Sequence, residues 1–242
     1  MSTSPIQYSA VIPVFDSATQ IGETIARTAA FFEAAGHTYE LICVNDGSRD
    51  GSWEVLSRIA RERPGLVAID LDRNYGQHTA LLCGLEHSRG AFVVTLDDDL
   101  QNPPEEIARL IEKAGEGHDL VFGRFRDKRH PTWRVLGSRL VGKLNQWLFR
   151  KPRDLVLSNF RLLRRDVVER LCARSPRRPY ITGLALLVAS SPANAWVEHR
   201  EPAAPSRYGA IRLARLVGRI VINRFASRAG GRSAYGVRAI VR

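Results

Sequence analysis

Cysteine is scarce in this 242-residue chain. Its three cysteines, Cys43, Cys83 and Cys172, have no metal-type spacing. That argues against a thiolate metal site and leaves buried, reduced thiols of a cytosolic protein as the expectation. Long apolar runs are also missing. No stretch approaches the roughly eighteen consecutive apolar residues of a membrane-spanning helix. The first residues, MSTSPIQYSA, have neither the basic start nor the apolar core of a secretory signal. There is no internal repeat and no low-complexity block. Acid is short in the second half, where residues 123–242 carry 6 Asp+Glu against 27 Lys+Arg, a net of +21. Residues 1–122 carry 19 against 9, a net of −10. A strongly basic half suits an anionic partner: nucleic acid, a phosphorylated substrate or a membrane surface. No stacking-aromatic ribbon or recognised DNA- or RNA-binding motif accompanies that charge, so a basic nucleic-acid-binding protein is the weakest reading.

At 44% hydrophobic and 25% charged residues, the composition is that of a folded protein with a sizeable core. Strand-like apolar runs recur at Ser9–Phe15, Tyr39–Val44, Leu66–Leu71, Ala91–Leu96 and Asp119–Gly123. Helical patterns lie between them at Ile21–Ala35, Trp53–Arg63, Gly76–His87 and Pro104–Ala114. This alternation predicts an α/β fold, a mostly parallel central sheet flanked by helices. Such sheets bind ligands outside the carboxyl ends of their strands. The polar residues collect there: Asp16 and Ser17 after the first strand, Asn45 to Ser48 after the second, and Asp72 to Asn74 after the third. Asp97 to Asp99 follow the fourth strand, and Gly123, Arg124 and Arg126 follow the fifth.

The stretch AFVVTLDDDLQNPPEE, residues 91–106, organises the rest. If strand geometry continued past Leu96, Asp97, Asp99 and Gln101 would share one side. Two carboxylates and an amide oxygen make a hard site suited to Mg2+ or Mn2+.

Beyond residue 124 the alternation stops. Trp133–Phe149 reads as an amphipathic helix with Leu140, Leu144 and Trp147 as core anchors. Leu155–Leu163 reads as strand-like, Arg165–Ala173 as a helix, Arg174–Tyr180 as a basic loop and Ile181–Ser191 as a buried segment. Trp196–Arg200 is the expected last strand. In Tyr208–Phe225, Arg212, Arg215 and Arg219 fall on one helical face opposite Leu213, Leu216, Val217, Ile220 and Val221. That layout suits an anionic membrane surface. The Gly/Ser/Arg-rich stretch 227–242 reads as a flexible tail.

The motifs VIPVFDS at 11–17, VNDGSRDGS at 44–52, LDRNYGQHTALLCG at 71–84, LDDDLQNPPEEI at 96–107 and SNFRLLRRDVV at 158–168 together resemble the family 2 glycosyltransferases of GT-A fold. Within them the likeness is to the polyprenyl-phosphate transferases, which include dolichyl-phosphate mannose synthase and the undecaprenyl-phosphate 4-deoxy-4-formamido-arabinose type. It implies a metal-dependent, inverting transfer of a sugar from a nucleotide-sugar, favoured as a UDP-sugar, to undecaprenyl or another polyprenyl phosphate. A soluble acceptor is the alternative.

The resemblance also implies roles. Asp46 binds the nucleotide base beside Pro13, and Phe15, Asp16, Gly47, Asn74, Gln77, Asp97 and Asp98 complete the nucleotide-sugar site. Asp97, Asp99 and Gln101 take Mg2+ or Mn2+. Asp154 is the candidate base, with Arg124 and Arg161 as further catalytic residues. Arg124, Arg126 and Arg207 face the acceptor phosphate, Arg207 lying within Ser206-Arg207-Tyr208. The domain is expected to run over 1–226: a donor and metal half to 123, an acceptor half over 124–207, and a basic helix over 208–226. The protein is expected to lie in the cytoplasm, on the inner face of the membrane, with a membrane-embedded partner subunit as one possibility. The sequence departs from the family at Asp16-Ser17, where Asn-Glu is usual, and at Asp98, where a small residue is usual. Asp154 stands seven residues before Arg161 instead of six. Glu201 and Ala204 occupy places usually held by arginine and glycine.

Overall fold

Tyr8–Val14, the sequence YSAVIPV, is buried along its whole length and forms β1 in the interior of the sheet. A strand covered on both faces must be apolar at nearly every position, and here it is. The computed structural model describes residues 5–125, 146–176, 178–198, 218 and 235–242. Within them β1 is followed by α1 (Ile21–Ala34), β2 (Tyr39–Asn45), α2 (Ser52–Glu62), β3 (Leu66–Leu71), α3 (Gln77–His87) and β4 (Phe92–Thr95). A 3-10 turn over Pro104–Glu106 leads into α4 (Ile107–Gly115). Then come β5 (Leu120–Phe125), β6 (Arg161–Arg164), α5 (Arg165–Ala173), α6 (Ile181–Val188), β7 (Pro192–Val197) and β8 (Val237–Val241).

The strand order is β7-β5-β6-β4-β1-β2-β3-β8. β6 and β8 run against the other strands. Helices cover both faces. On one side α1, α2 and α4 supply Ile25, Phe32, Leu56 and Leu110 to the core. On the other, α3, α5 and α6 supply Leu82, Leu85, Val168 and Leu184. From β1 the chain adds β2 and β3 outward on one side, then returns to place β4 on the other. The switch point therefore lies between β1 and β4, where parallel sheets open a crevice at their carboxyl ends. Pro13 belongs to this opening. Leu96 N–H donates to the Val11 carbonyl, the last contact between the two strands. Two residues on, the missing proline N–H faces the gap that β4 has left, where it costs the ladder no hydrogen bond.

Several expectations need correction. The strand-like run 155–163 yields a strand only from Arg161, because side chains satisfy much of the preceding backbone. Asn194 accepts from Val156 N–H and donates to its carbonyl, both at 2.8 Å. Thr95 Oγ1 donates to the Asn159 carbonyl. Trp147 is 79% exposed, while the neighbouring Leu148 and Phe149 are buried. The described helical residues 146–149 end at Arg150, whose φ is +55°, where the expected helix was to stop; its residues 133–145 lie outside the described residues. Leu140 and Leu144 lie outside the described residues.

The last strand is β8, not the stretch at Trp196. It falls in the stretch 227–242 read as a loose tail, and pairs antiparallel with β3. Its anchor is Arg238, which reaches the buried Asp70 at 3.2 Å and the Asp72 carbonyl at 2.8 Å. No helix among the described residues is long and apolar enough to cross a membrane. Cys43 and Cys83 are buried and Cys172 is partly exposed. Burial pushes the thiols of Cys83 and Cys172 up to about 12.

Candidate active site

The loops that leave β1, β2, β3 and β4 meet at the carboxyl edge, where short polar side chains stitch them together. Asp46 is 2% exposed. Its two oxygens accept from the amides of Tyr75 and Gly76 at 2.7 and 2.8 Å, fixing the entry to α3. Burial pushes its acid up to about 6, against the pull of those two amides. Gly47, at φ +67°, lets the β2 loop touch the β3 loop backbone to backbone. Asn45 donates to Asp70 at 2.7 Å and accepts from Ser48 Oγ, which in turn accepts from Asp16 N–H at 3.1 Å. Asp16 has φ +51°, a left-handed backbone that Asp and Asn tolerate better than most residues. That accounts for aspartate standing where asparagine is usual. Its carboxylate accepts from Arg49 N–H at 2.9 Å and so ties two loops together.

The three aspartates do not continue the strand. β4 ends at Thr95, and Leu100 has φ +57°, so residues 97–99 lie in a turn rather than alternating. Asp97 accepts from Gln77 Nε2 at 2.6 Å and from Asn102 Nδ2 at 3.3 Å. Gln77 is itself held by Asn159 Nδ2 at 3.3 Å. Asp98 faces the β1 loop, accepting from Phe15 N–H at 3.2 Å and Ser17 Oγ at 2.5 Å. Asp99 accepts from the backbone and side-chain amides of Gln101. Burial, then Asp99 and Asp98, push Asp97 up to about 6, with Arg161 opposing.

This turn fits a hard divalent cation by donor chemistry, since carboxylates crowd together there. The Gln101 side chain presents its NH2 to Asp99, so to ligate it must turn its amide over. Among the described residues no set of three His, Cys, Asp or Glu converges on one point. Asp97 and Asp99, with Gln101 once its amide is turned, are the groups this turn offers to a cation.

Ser17 and Asp98 carry two departures from the family pattern that are explained together. The usual acid of the β1 loop is here a serine, and the usual small residue after β4 is here an acid. The sides are exchanged and one carboxylate is kept. Ser17→Glu alone sets two carboxylates against each other and is expected to weaken folding by about 1–2 kcal/mol; adding Asp98→Ser is expected to restore most of it. Thermal melts of the two singles and the double check this, and additive effects would refute it.

Arg161 is fully buried. Its Nε donates to Thr95 Oγ1 at 3.2 Å and Nη1 to Thr182 Oγ1 at 2.9 Å, while Nη2 has no hydrogen-bond partner among the described residues. Burial lowers its pKa to about 10, with Tyr180 and Asp97 opposing. It is thus a buried counter-charge beside Asp97. Asp154 is exposed, near Lys151. Arg124 stacks over the ring of Trp196, its guanidinium carbon 4.3 Å from the centroid. Gly123 N–H donates to the Phe160 carbonyl at 2.9 Å, packing the end of β5 beside the entry to β6. Phe15 is 48% exposed, and Asn74 and Gln77 are exposed, so all three can meet a ligand. Arg126, Ser206, Arg207, Tyr208 and all of Tyr208–Phe225 except Gly218 lie outside the described residues. Sequence reading passed over Ser17, Tyr75, Asn102 and Asn159 as site residues. Each lies in or beside a motif already singled out, but the partners of Ser17, Tyr75 and Asn159 are far away in sequence.

A mixed sheet with its polar loops gathered at one switch point defines a nucleotide-diphospho-sugar transferase fold. The chain belongs to glycosyl transferase family 2, whose pattern matches residues 9–172. It is 42% identical over 217 residues to the undecaprenyl-phosphate 4-deoxy-4-formamido-L-arabinose transferase of Pseudomonas paraeruginosa (strain DSM 24068 / PA7), covering 86% of this chain and 62% of that protein. It is 41% identical over 213 residues to the enzyme of that name from Enterobacter sp. (strain 638), covering 86% and 64%. The chain thus spans less than two thirds of the length of these relatives. Mannosyl-3-phosphoglycerate synthase from Rubrobacter xylanophilus superposes with a TM-score of 0.66 at 17% identity, over 95% of this chain and 77% of that one. Glucosyl-3-phosphoglycerate synthase from Mycobacterium tuberculosis, in complex with Mn2+, UDP-glucose and phosphoglyceric acid, gives 0.63 at 19%, over 94% and 82%. These two likenesses establish the GT-A fold.

Proposed function

We propose that the protein transfers a sugar from a nucleotide-sugar, in the first place a UDP-sugar, to the phosphate of a polyprenyl lipid. The observation that carries this is the carboxylate turn Asp97–Asp99 at the β1/β4 switch point. Family membership and the relatives named for an undecaprenyl-phosphate acceptor support it. An acceptor phosphate oxygen attacks the anomeric carbon as the bond from that carbon to the diphosphate breaks. The electron pair leaves with the nucleoside diphosphate and the configuration inverts. The acceptor is already an anion, so no proton need be removed and the exposed Asp154 need not act as a base. Asp97 and Asp99 would hold Mg2+ or Mn2+, which when bound neutralises charge on the leaving diphosphate. Phe15, Asp46 and the Tyr75–Gln77 entry to α3 hold the nucleotide, and Arg124 offers its guanidinium to phosphate oxygens. Because its acceptor is a lipid, the protein works at a membrane surface.

The test is a transfer assay with purified protein and Mn2+, offering UDP- and GDP-sugars to a polyprenyl phosphate and to soluble hydroxyl acceptors. Label on the lipid phosphate is the expected result. Label only on a soluble acceptor would overturn the lipid half of the reading.

Asp46 gives the assay a pH signature. As a base-binding group it must be ionised to accept from the base. Donor KM is therefore expected to rise as pH falls through about 6, where Asp46 takes up its proton. The stability term has the opposite sense. The fold raises this acid, so the folded state holds the proton more tightly than the unfolded chain, and this contribution to stability falls as pH rises from 3.8 to about 6. A donor KM that stays flat from pH 7.5 to 5, or an Asp46→Asn variant with the wild-type profile, would refute the assignment.

A further inference from the structure

Trp196 and Val156 are 49% and 39% exposed at the end of the sheet where β5 and β7 reach the site edge. Trp196 pairs across the strands with Arg124. Asn194, two residues earlier on the same face of β7, holds Val156 by both backbone groups at 2.8 Å and also donates to the Phe122 carbonyl at 3.1 Å. Val156 therefore presents only its side chain to a visitor, since both its backbone polar groups are already paired with Asn194. It is also set in place by a ladder and an amide clamp. The cation lies over the ring, which leaves the in-plane N–H groups of Arg124 to meet an anion.

We propose that Trp196 and Val156 seat the first apolar segment of a lipid-phosphate acceptor while Arg124, stacked on Trp196, meets its phosphate. This rests on the proposed transfer to a polyprenyl phosphate. Position and charge both fit that occupant. In the order β7-β5-β6-β4, Arg124 lies two strands and Trp196 three strands from β4, whose end leads into Asp97. At about 4.8 Å per strand that is about 10 and 14 Å. A sugar ring fills the space between a diphosphate at Asp97 and a phosphate at Arg124. The acceptor's chain then continues outward over Trp196. A cation beside bare apolar surface matches a molecule with an anionic head and a hydrocarbon chain. A small polar acceptor would leave that surface unused.

The experiment compares a ten-carbon prenyl phosphate with methyl phosphate as acceptors, in the full-length protein and in Trp196→Ala, Trp196→Phe and Val156→Ser. Trp196→Ala is expected to lower kcat/KM for the prenyl phosphate about tenfold, mainly through KM, and at least five times more than for methyl phosphate. Trp196→Phe is expected to recover most of the loss, Val156→Ser to lose about threefold, and donor KM to stay within twofold throughout. Equal losses on both acceptors would mean that Trp196 acts only by placing Arg124, and would overturn the apolar seat. So would no loss on either. Binding is read separately from transfer. Adding prenyl phosphate is expected to blue-shift tryptophan emission in the wild type and not in Trp196→Phe. An unchanged difference between the two spectra overturns the seat whether or not sugar moves. A wild type that shows the spectral shift but transfers no sugar to any prenyl phosphate fails the proposed function instead.

Discussion

Replacing Asp99 with alanine is expected to lower sugar transfer by about a hundredfold or more, and chelation of divalent cations to do the same to the wild type. The size follows from the chemistry proposed. Removing one group that stabilises charge developing in the transition state costs about 3–4 kcal/mol, or 10²–10³ in rate. Asp98 turns to the β1 loop, to Ser17 and Phe15, which leaves Asp97 and Asp99 as the carboxylates of this turn to hold a cation. The fold should not suffer. Alanine gives up the two hydrogen bonds Asp99 accepts from Gln101, but it also removes the like-charge repulsion with Asp97, which offsets them. A variant that melts at or above the wild-type temperature yet has lost transfer is the expected pair of results. Turnover within threefold of wild type, in either the variant or the chelated enzyme, would remove the metal from the mechanism.

Gly47→Ala is expected to damage both the fold and the donor site. The new Cβ would stand 2.6 Å from the Arg73 carbonyl carbon and from the Asn74 nitrogen, both backbone atoms with no rotamer to yield. The backbone also sits at φ +67°, where a side chain adds its own cost. Strain and overpacking of these kinds run to about 1–3 kcal/mol each. A loss of about 2–5 kcal/mol lowers the melting temperature of a chain this size by about 5–15 °C. If the chain relieves the clash by moving the β3 loop, Tyr75 and Gly76 move with it and Asp46 loses the amides it accepts from. Donor affinity then falls even where folding survives. A variant with wild-type melting temperature and donor KM would show that the two loops are not in contact.

Much of the first half was legible in the sequence because its signals are local. Strands buried on both faces must be apolar throughout, so Tyr39–Asn45 and Leu66–Leu71 announce themselves within a residue or so. Helices α1 and α2 carry their apolar residues at helical spacing and start within a residue of expectation. The acids at the strand ends could be named because a parallel sheet gathers such ends at one edge. The second half yielded less. β8 is five residues behind a Gly/Ser/Arg-rich stretch, and only the open edge of β3 and the buried Asp70 make it a strand. Trp147 falls at core spacing in the sequence, yet it is exposed and its neighbours Leu148 and Phe149 are the buried ones.

The sequence by itself determined the fold class, the family, and which turns hold acid and which hold base, because period, composition and motif are properties of neighbours along the chain. Only the tertiary structure decided what those acids do. It turned Asp98 away from Asp97 and Asp99 to answer Ser17, put Arg161 under the site as a buried charge, and laid Arg124 on Trp196. Each of those outcomes joins residues from about 20 to more than 80 positions apart. Burial and charge balance at such a meeting are set by the packed elements, and no local pattern in the sequence encodes them.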